Sequence, residues 1–294
     1  MQKPSSGKGM GTRISLCGAV AGIACAIAAL WPARAQNQAV PNFAPDNTTA
    51  WIAVGQDFIA PPSGPGPVMG DPAHAPKPGR PAFRVANLAN PILQPWAREE
   101  LRKANDRALS GKAAYTPKER CWPIGVPGFL LYPVFPVYFL QTPKEVVMIW
   151  AEDHQVRRIY LNQQHSAKVT PSWFGESIGR YEGDTLIVDT IGMNGRTYVD
   201  NYRTPHSDKL HVVEQFRMID DGKRLEVRVH VEDAGAFTTP WDAVQRYRRI
   251  GGDGDAADPR VPKGPMEEMA CAENNGDVFN EGLEPIPTAA KPDF

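Results

Sequence analysis

The sequence has no long basic run: 32 Lys and Arg stand against 33 Asp and Glu, a formal charge of -1. A partner held through its phosphates needs a concentrated cationic face, so no nucleic-acid partner is expected. Cysteine is scarce, four in 294 residues, and none has the C-x-x-C spacing of a zinc or redox site. Also missing are G-x-S-x-G, H-E-x-x-H, a phosphate-cradling glycine loop and a dinucleotide fingerprint. No familiar catalytic class announces itself, and no motif implies a cofactor. Long helices have little room, because 29 Pro and 26 Gly favour strands and loops.

What is present begins with a leader. Lys3, Lys8 and Arg13 precede an uncharged run from Ile14 to Trp31, and Ala33-Arg34-Ala35 places small residues before a cleavage point at Gln36. A membrane-anchoring helix is the alternative, although Gly18, Gly22 and the many Ala leave the run only weakly apolar. A lipid anchor on Cys25 would follow Gly22-Ile23-Ala24, a poor lipidation signal. Cleavage takes four basic residues from the 32, leaving 28 against 33 acidic ones, and removes Cys17 and Cys25. The expected product is mildly acidic, periplasmic or secreted, with no membrane span once the leader is gone. In an oxidising compartment the remaining Cys121 and Cys271 suggest one disulfide, with two separately buried thiols as the alternative.

Four stretches follow by composition. Residues 36–94 are dense in Pro and Gly and read as an extended, partly mobile arm. A β domain is expected over 95–280, opened by a helix over 95–110, and a flexible tail over 281–294. In the helix Pro95 takes the favoured first position, Ala97, Leu101, Ala104 and Ala108 share a stripe, Glu99 and Lys103 pair, and Gly111 caps the end. Strands are expected at Val146 to Ala151, Val156 to Leu161, Ser172 to Tyr181, Thr185 to Ile191, Leu210 to Ile219, Arg224 to Glu232 and Trp241 to Ile250. Their Asp-Gly turns signal hairpins, and such a meander removes its edges by closing into an antiparallel β-barrel.

The motifs Cys121-Trp122-Pro123, Gln141-Thr142-Pro143, Glu152-Asp153-His154, Gly179-Arg180-Tyr181-Glu182-Gly183-Asp184-Thr185-Leu186, Glu214-Gln215-Phe216-Arg217 and Pro240-Trp241 resemble a large family of secreted, uncharacterised bacterial proteins. The likeness covers roughly Ala97 to Asn275 and carries no activity with it. The stretch Gly179 to Leu186 with its charged hairpin also resembles lipocalin-like barrels, which supports that fold by analogy.

Candidate chemistry rests on position within strands. Glu214 lies between Val212 and Phe216 on the apolar side of its strand, and Asp189 shares a face with Ile187 and Ile191. An inward carboxylate is desolvated and suited to acid/base work unless a partner, such as an arginine, makes it a structural ion pair. His154 at a hairpin tip, and His165, His206 and His211 around loops, are further acid/base candidates. A metal held by three of them is an alternative without any recognised ligand spacing, and satisfied loop hydrogen bonds are another. His230 sits on a wholly polar strand face and reads as a surface residue. The expected catalytic groups are therefore His154, Asp189, His211 and Glu214. Trp150, Trp173, Arg217 and Trp241 are the expected ligand-binding groups in an aromatic-rich barrel. Two functions fit: acid/base lyase, isomerase or hydrolase chemistry on a small apolar or aromatic molecule, or non-catalytic binding of one in an envelope protein. Nothing in the sequence sets an oligomeric state.

Overall fold

In a strand, side chains alternate between faces, and nine segments of this chain use that alternation to bury one face each. They are β1 (Ala50–Ala53), β2 (Val137–Gln141), β3 (Glu145–Trp150), β4 (Gln155–Leu161), β5 (Glu176–Glu182), β6 (Thr185–Ile191), β7 (His211–Ile219), β8 (Arg224–Glu232) and β9 (Trp241–Ile250). In the computed structural model, which describes residues 40–46, 48–75, 84–112, 116–133, 135–251 and 271, they form one closed barrel in sequence order. The leader over 1–35 and the tail over 281–294 lie outside the described residues. Among the described residues no helix is long and apolar enough to cross a membrane.

The expected antiparallel barrel is mixed. Eight neighbouring pairs are antiparallel, but β4 and β5 run parallel, with Ile159 opposite Ser177 and Leu161 opposite Gly179. The reason is parity. Directions cannot alternate all the way round a ring with an odd number of strands, so one pair must match. A parallel pair needs a long crossover, here residues 162–175, which return along the outside of the barrel to the start of β5.

The arm is corrected too, since β1 lies within it. Trp51 and Ala53 face inward, β1 pairs with β9 from Ala50 opposite Ile250 to Ala53 opposite Tyr247, and Phe43, Phe58 and Val68 are buried. The barrel thus starts near residue 50, not 95. Pro76, Pro78 and Pro81 lie outside the described residues. Among Pro61 to Ala75, Pro65 accepts a hydrogen bond from the Asp242 amide, and Val68 joins the core.

The helix is α1 (Pro95–Leu109), with Pro95 in its first turn and Gly111 at φ +78 behind it. Its buried stripe is Ala97, Leu101, Asn105 and Ala108. Asn105 stands where Ala104 was expected because its side chain closes two bonds on the Ala86 backbone, accepting from N–H at 2.8 Å and donating to C=O at 2.9 Å. Glu99 pairs with Arg102, and Lys103 with Glu100, in place of Glu99 with Lys103.

The two ends of the barrel differ. At one end β2–β3, β5–β6 and β7–β8 are joined by tight turns, such as Gly183-Asp184 between Glu182 and Thr185. The other end carries residues 54–136, the β3–β4 tip, the 192–210 connection and the 233–240 connection. Long loops on a rigid frame are where binding and catalysis usually reside.

Candidate functional site

On β6, Leu186, Val188 and Thr190 fill the interior, so Asp189 must turn outward. The same alternation turns Glu176 on β5, His211 on β7, His230 and Glu232 on β8, and Asp242 on β9 to the outer wall. Register makes them neighbours: Ile191 faces Glu176 and His211, His211 faces Glu232, and His230 faces Asp242. His165 reaches this row from the crossover. Gly175, at φ +65, lets that crossover settle, because a β-carbon there would meet the Ile191 carbonyl at 2.3 Å.

Asp189 Oδ1 is the hub, 3.0 Å from His165 Nε2 and 3.0 Å from His211 Nε2. Behind each imidazole stands a second carboxylate: Glu176 Oε1 is 2.9 Å from His165 Nδ1, and Glu232 Oε2 is 3.5 Å from His211 Nδ1. Glu232 continues to His230 at 3.0 Å, and His230 to Asp242 at 2.8 Å. Imidazole and carboxylate thus alternate across five strands.

A neutral imidazole has one N–H, so it cannot donate to two carboxylates at once. Glu176 is held below its ordinary range by the Ser166 hydroxyl and amide, against desolvation, with His165 adding to the effect. Facing an ionised Glu176, Nδ1 of His165 is the donor, and its Nε2 faces Asp189. For His230, burial works toward the neutral form, but the hydrogen bonds it donates to Asp242 and Glu232 prevail and raise its pKa. The second oxygen of Asp189 makes no hydrogen bond among the described residues, and the side chain is about one-third exposed. Asp189 is therefore anchored on one side and open to a small molecule on the other.

The other two expected catalytic groups lie elsewhere. His154 is exposed at the β3–β4 tip, where Asp153 and His154 both take positive φ. Glu214 faces the interior and has no exposed side-chain surface. It forms a two-pronged ion pair with Arg157 of β4, which also reaches Thr190 Oγ1 at 2.9 Å and Ser177 Oγ at 3.2 Å. Every guanidinium nitrogen is thereby satisfied, and the pair is closed to solvent.

The expected ligand-binding set also separates. Trp150 and Trp241 are buried inside the barrel, where Trp150 packs with Tyr132 and Phe135, and Trp241 with Phe58 and Phe237. Arg217 is on the outer wall, paired with Asp184. Trp173, on the crossover, is partly exposed at the long-loop end, 5.5 Å from the Trp122 ring. An open cleft of about 300 Å³ between Pro61 and Pro91 has no titratable lining residue. Among the described residues no three His, Cys, Asp or Glu side chains are spaced to hold a metal ion. Cys121 and Cys271 lie at disulfide distance, Cα–Cα 5.4 Å, and the Cys271 amide donates to Asp153.

In the polar lining of the 192–210 connection the sequence points to His206 but not to Thr197 or Asp200. His206 Nδ1 is 2.8 Å from the Ser207 carbonyl and must carry its proton, so Nε2, 2.9 Å away, accepts from the Thr197 hydroxyl. Burial lowers the pKa of His206, with Ser207 and Asp233 pulling the other way. Gly125 permits this approach, since a β-carbon there would sit 2.7 Å from Thr197. Asp200 Oδ1 accepts from the Tyr202 and Thr204 amides at 2.8 and 3.1 Å, while Oδ2 is buried without a partner.

Burial raises the pKa of Asp200 from 3.8 to about 6, outweighing those hydrogen bonds. A raised pKa means the fold prefers the protonated acid, so this contribution is present in acid and lost as pH rises through about 6. Asp200→Asn keeps the Oδ1 bonds without the charge. It should melt progressively above wild type from pH 4 to pH 7.5, ending ahead by about 2–3 kcal/mol at roughly 1.4 kcal/mol per unit. A melting-temperature difference that stays flat over this range would refute the assignment.

Fold and site together define a closed, mixed nine-stranded barrel with a histidine–carboxylate row on its outer wall. No family model, curated protein or solved structure matches the chain.

Proposed function

We propose that this is an exported, lipocalin-like barrel that acts on a small apolar or aromatic molecule by acid/base chemistry at Asp189. The observation that carries the reading is one carboxylate oxygen shared by two imidazoles, each backed by a further carboxylate. Such an array holds a proton on a short path between Asp189 and His165 and presents the free Asp189 oxygen to solvent. Proton removal by a positioned group of this kind contributes ~10²–10⁴-fold to a rate. Export is supported by the leader-like start and by the paired Cys121 and Cys271.

Two probes report this chemistry: hydrolysis of 1-naphthyl acetate, and deuterium wash-in beside the carbonyl of 2-tetralone. The wild-type protein should accelerate at least one, and Asp189→Asn should lower that rate about 100-fold or more while the protein stays folded. An Asp189→Asn protein with wild-type rates would overturn the proposal. The second reading, a non-catalytic binding or envelope protein, is favoured by the barrel interior, where the buried Arg157 and Glu214 occupy space a reacting molecule would need. It takes over if wild type accelerates neither probe.

A further inference from the structure

We propose that Trp122, Trp173 and Arg196 form a binding platform for a small planar aromatic carboxylate, an inference that rests on the acid/base reading and gives it a substrate class. The platform lies at the long-loop end. Trp122 and Trp173 are partly exposed, their rings 5.5 Å apart and inclined at 45°. The Arg196 guanidinium stands 5.9 Å from the Trp173 ring. It is exposed and pairs with no carboxylate among the described residues, whereas Arg158, Arg180 and Arg217 on the barrel wall each have one.

The Arg120 guanidinium lies 5.2 Å from the Trp122 ring, so the area offered to a flat ring is the part of the two indoles left exposed beside their arginines; stacking of this kind is worth about 1–3 kcal/mol per base in proteins that bind nucleic-acid bases. An unpaired guanidinium offers a fork of N–H groups that matches a carboxylate in shape and charge. Neither chemistry is presented by the barrel wall around Asp189. The three side chains also stand on a braced frame. Ser172 and Asn194 are linked through the Ser172 amide to Gly192 at 3.0 Å and the Asn194 amide to Ser172 at 2.7 Å, and the Arg196 amide donates to Asn194 Oδ1 at 3.1 Å. The Trp122 amide donates to Pro117 at 2.9 Å, beside the Cys121–Cys271 link. Bracing of this kind limits the ordering cost on binding. The crossover that supplies Trp173 also supplies His165, so one connection carries both the stacking surface and a member of the proton path.

Isothermal titration calorimetry of the full protein with 2-naphthoate, 2-naphthamide and cyclohexanecarboxylate tests this. Naphthoate should bind about tenfold tighter than either control, since the first control lacks the charge and the second the flat ring. Arg196→Gln should lose about tenfold for naphthoate and less than about twofold for naphthamide. Trp173→Ala should weaken both aromatic probes by about tenfold, and Trp173→Phe, which keeps a ring in place, should recover most of the loss. Equal binding of the three probes, or naphthoate binding unchanged in Arg196→Gln, would overturn the platform. The titration involves no turnover, so its failure leaves the Asp189 assay standing, and failure of that assay leaves the platform standing.

Discussion

Replacing Arg157 by methionine should destabilise the barrel by about 3–5 kcal/mol, because it strands the Glu214 carboxylate in a water-free interior. The two side chains are wholly buried and satisfy each other through paired hydrogen bonds, with Ser177 and Thr190 completing the set. The deficit should shrink in acid, where a proton on Glu214 removes the buried charge. Glu214→Gln strands the opposite charge, and no rise in acidity relieves it. The double variant Arg157→Met with Glu214→Leu should recover most or all of the loss, since buried pairs seldom outdo a well-packed apolar replacement. Denaturant titrations of wild type, Arg157→Met, Glu214→Leu and the double variant provide the cycle. A single variant as stable as wild type, or a double variant worse than both singles, would contradict this account.

The second large effect concerns Cys121 and Cys271, whose link spans 150 residues of sequence. Within the chain-entropy account, a loop of that size removes about 4–5 kcal/mol of freedom from the unfolded chain. Cys121→Ser with Cys271→Ser should lose stability of that order, and wild type in reductant should fall to the same denaturation midpoint. If reductant leaves the wild-type midpoint unmoved, the two sulfurs are separate thiols in solution.

The sequence was most legible where side chains alternate without interruption. Thr185–Ile191, Arg224–Glu232 and Trp241–Ile250 have the expected bounds, and Glu214 faces inward as its neighbours Val212 and Phe216 require. Its cation was within reach of the same reasoning, because Arg157 shares the face of β4 that buries Ile159 and Leu161. The strand β1 was hidden because four residues, Ala-Trp-Ile-Ala, are too short for a period and sit in Pro-rich surroundings. The parallel pair was hidden for a different reason: direction around a closed ring depends on the total number of strands, which no local window contains. Likewise Asp189 and His211 meet diagonally, and His165 joins them from a loop, so only the assembled register brings the three together.

Closure of the ring sets a timetable for folding. A chain is made from its N-terminus, yet Ala50 is hydrogen-bonded in register with Ile250, two hundred residues later. Contacts so distant in sequence form slowly, and an apolar strand without its neighbour is prone to stray pairing. Until β9 arrives, the Ala-Trp-Ile-Ala segment has only its short pairing with β2, Trp51 opposite Val137, to hold it. Its safest companion in that interval is a holding chaperone, and a chain truncated before Trp241 should be a client that is never released.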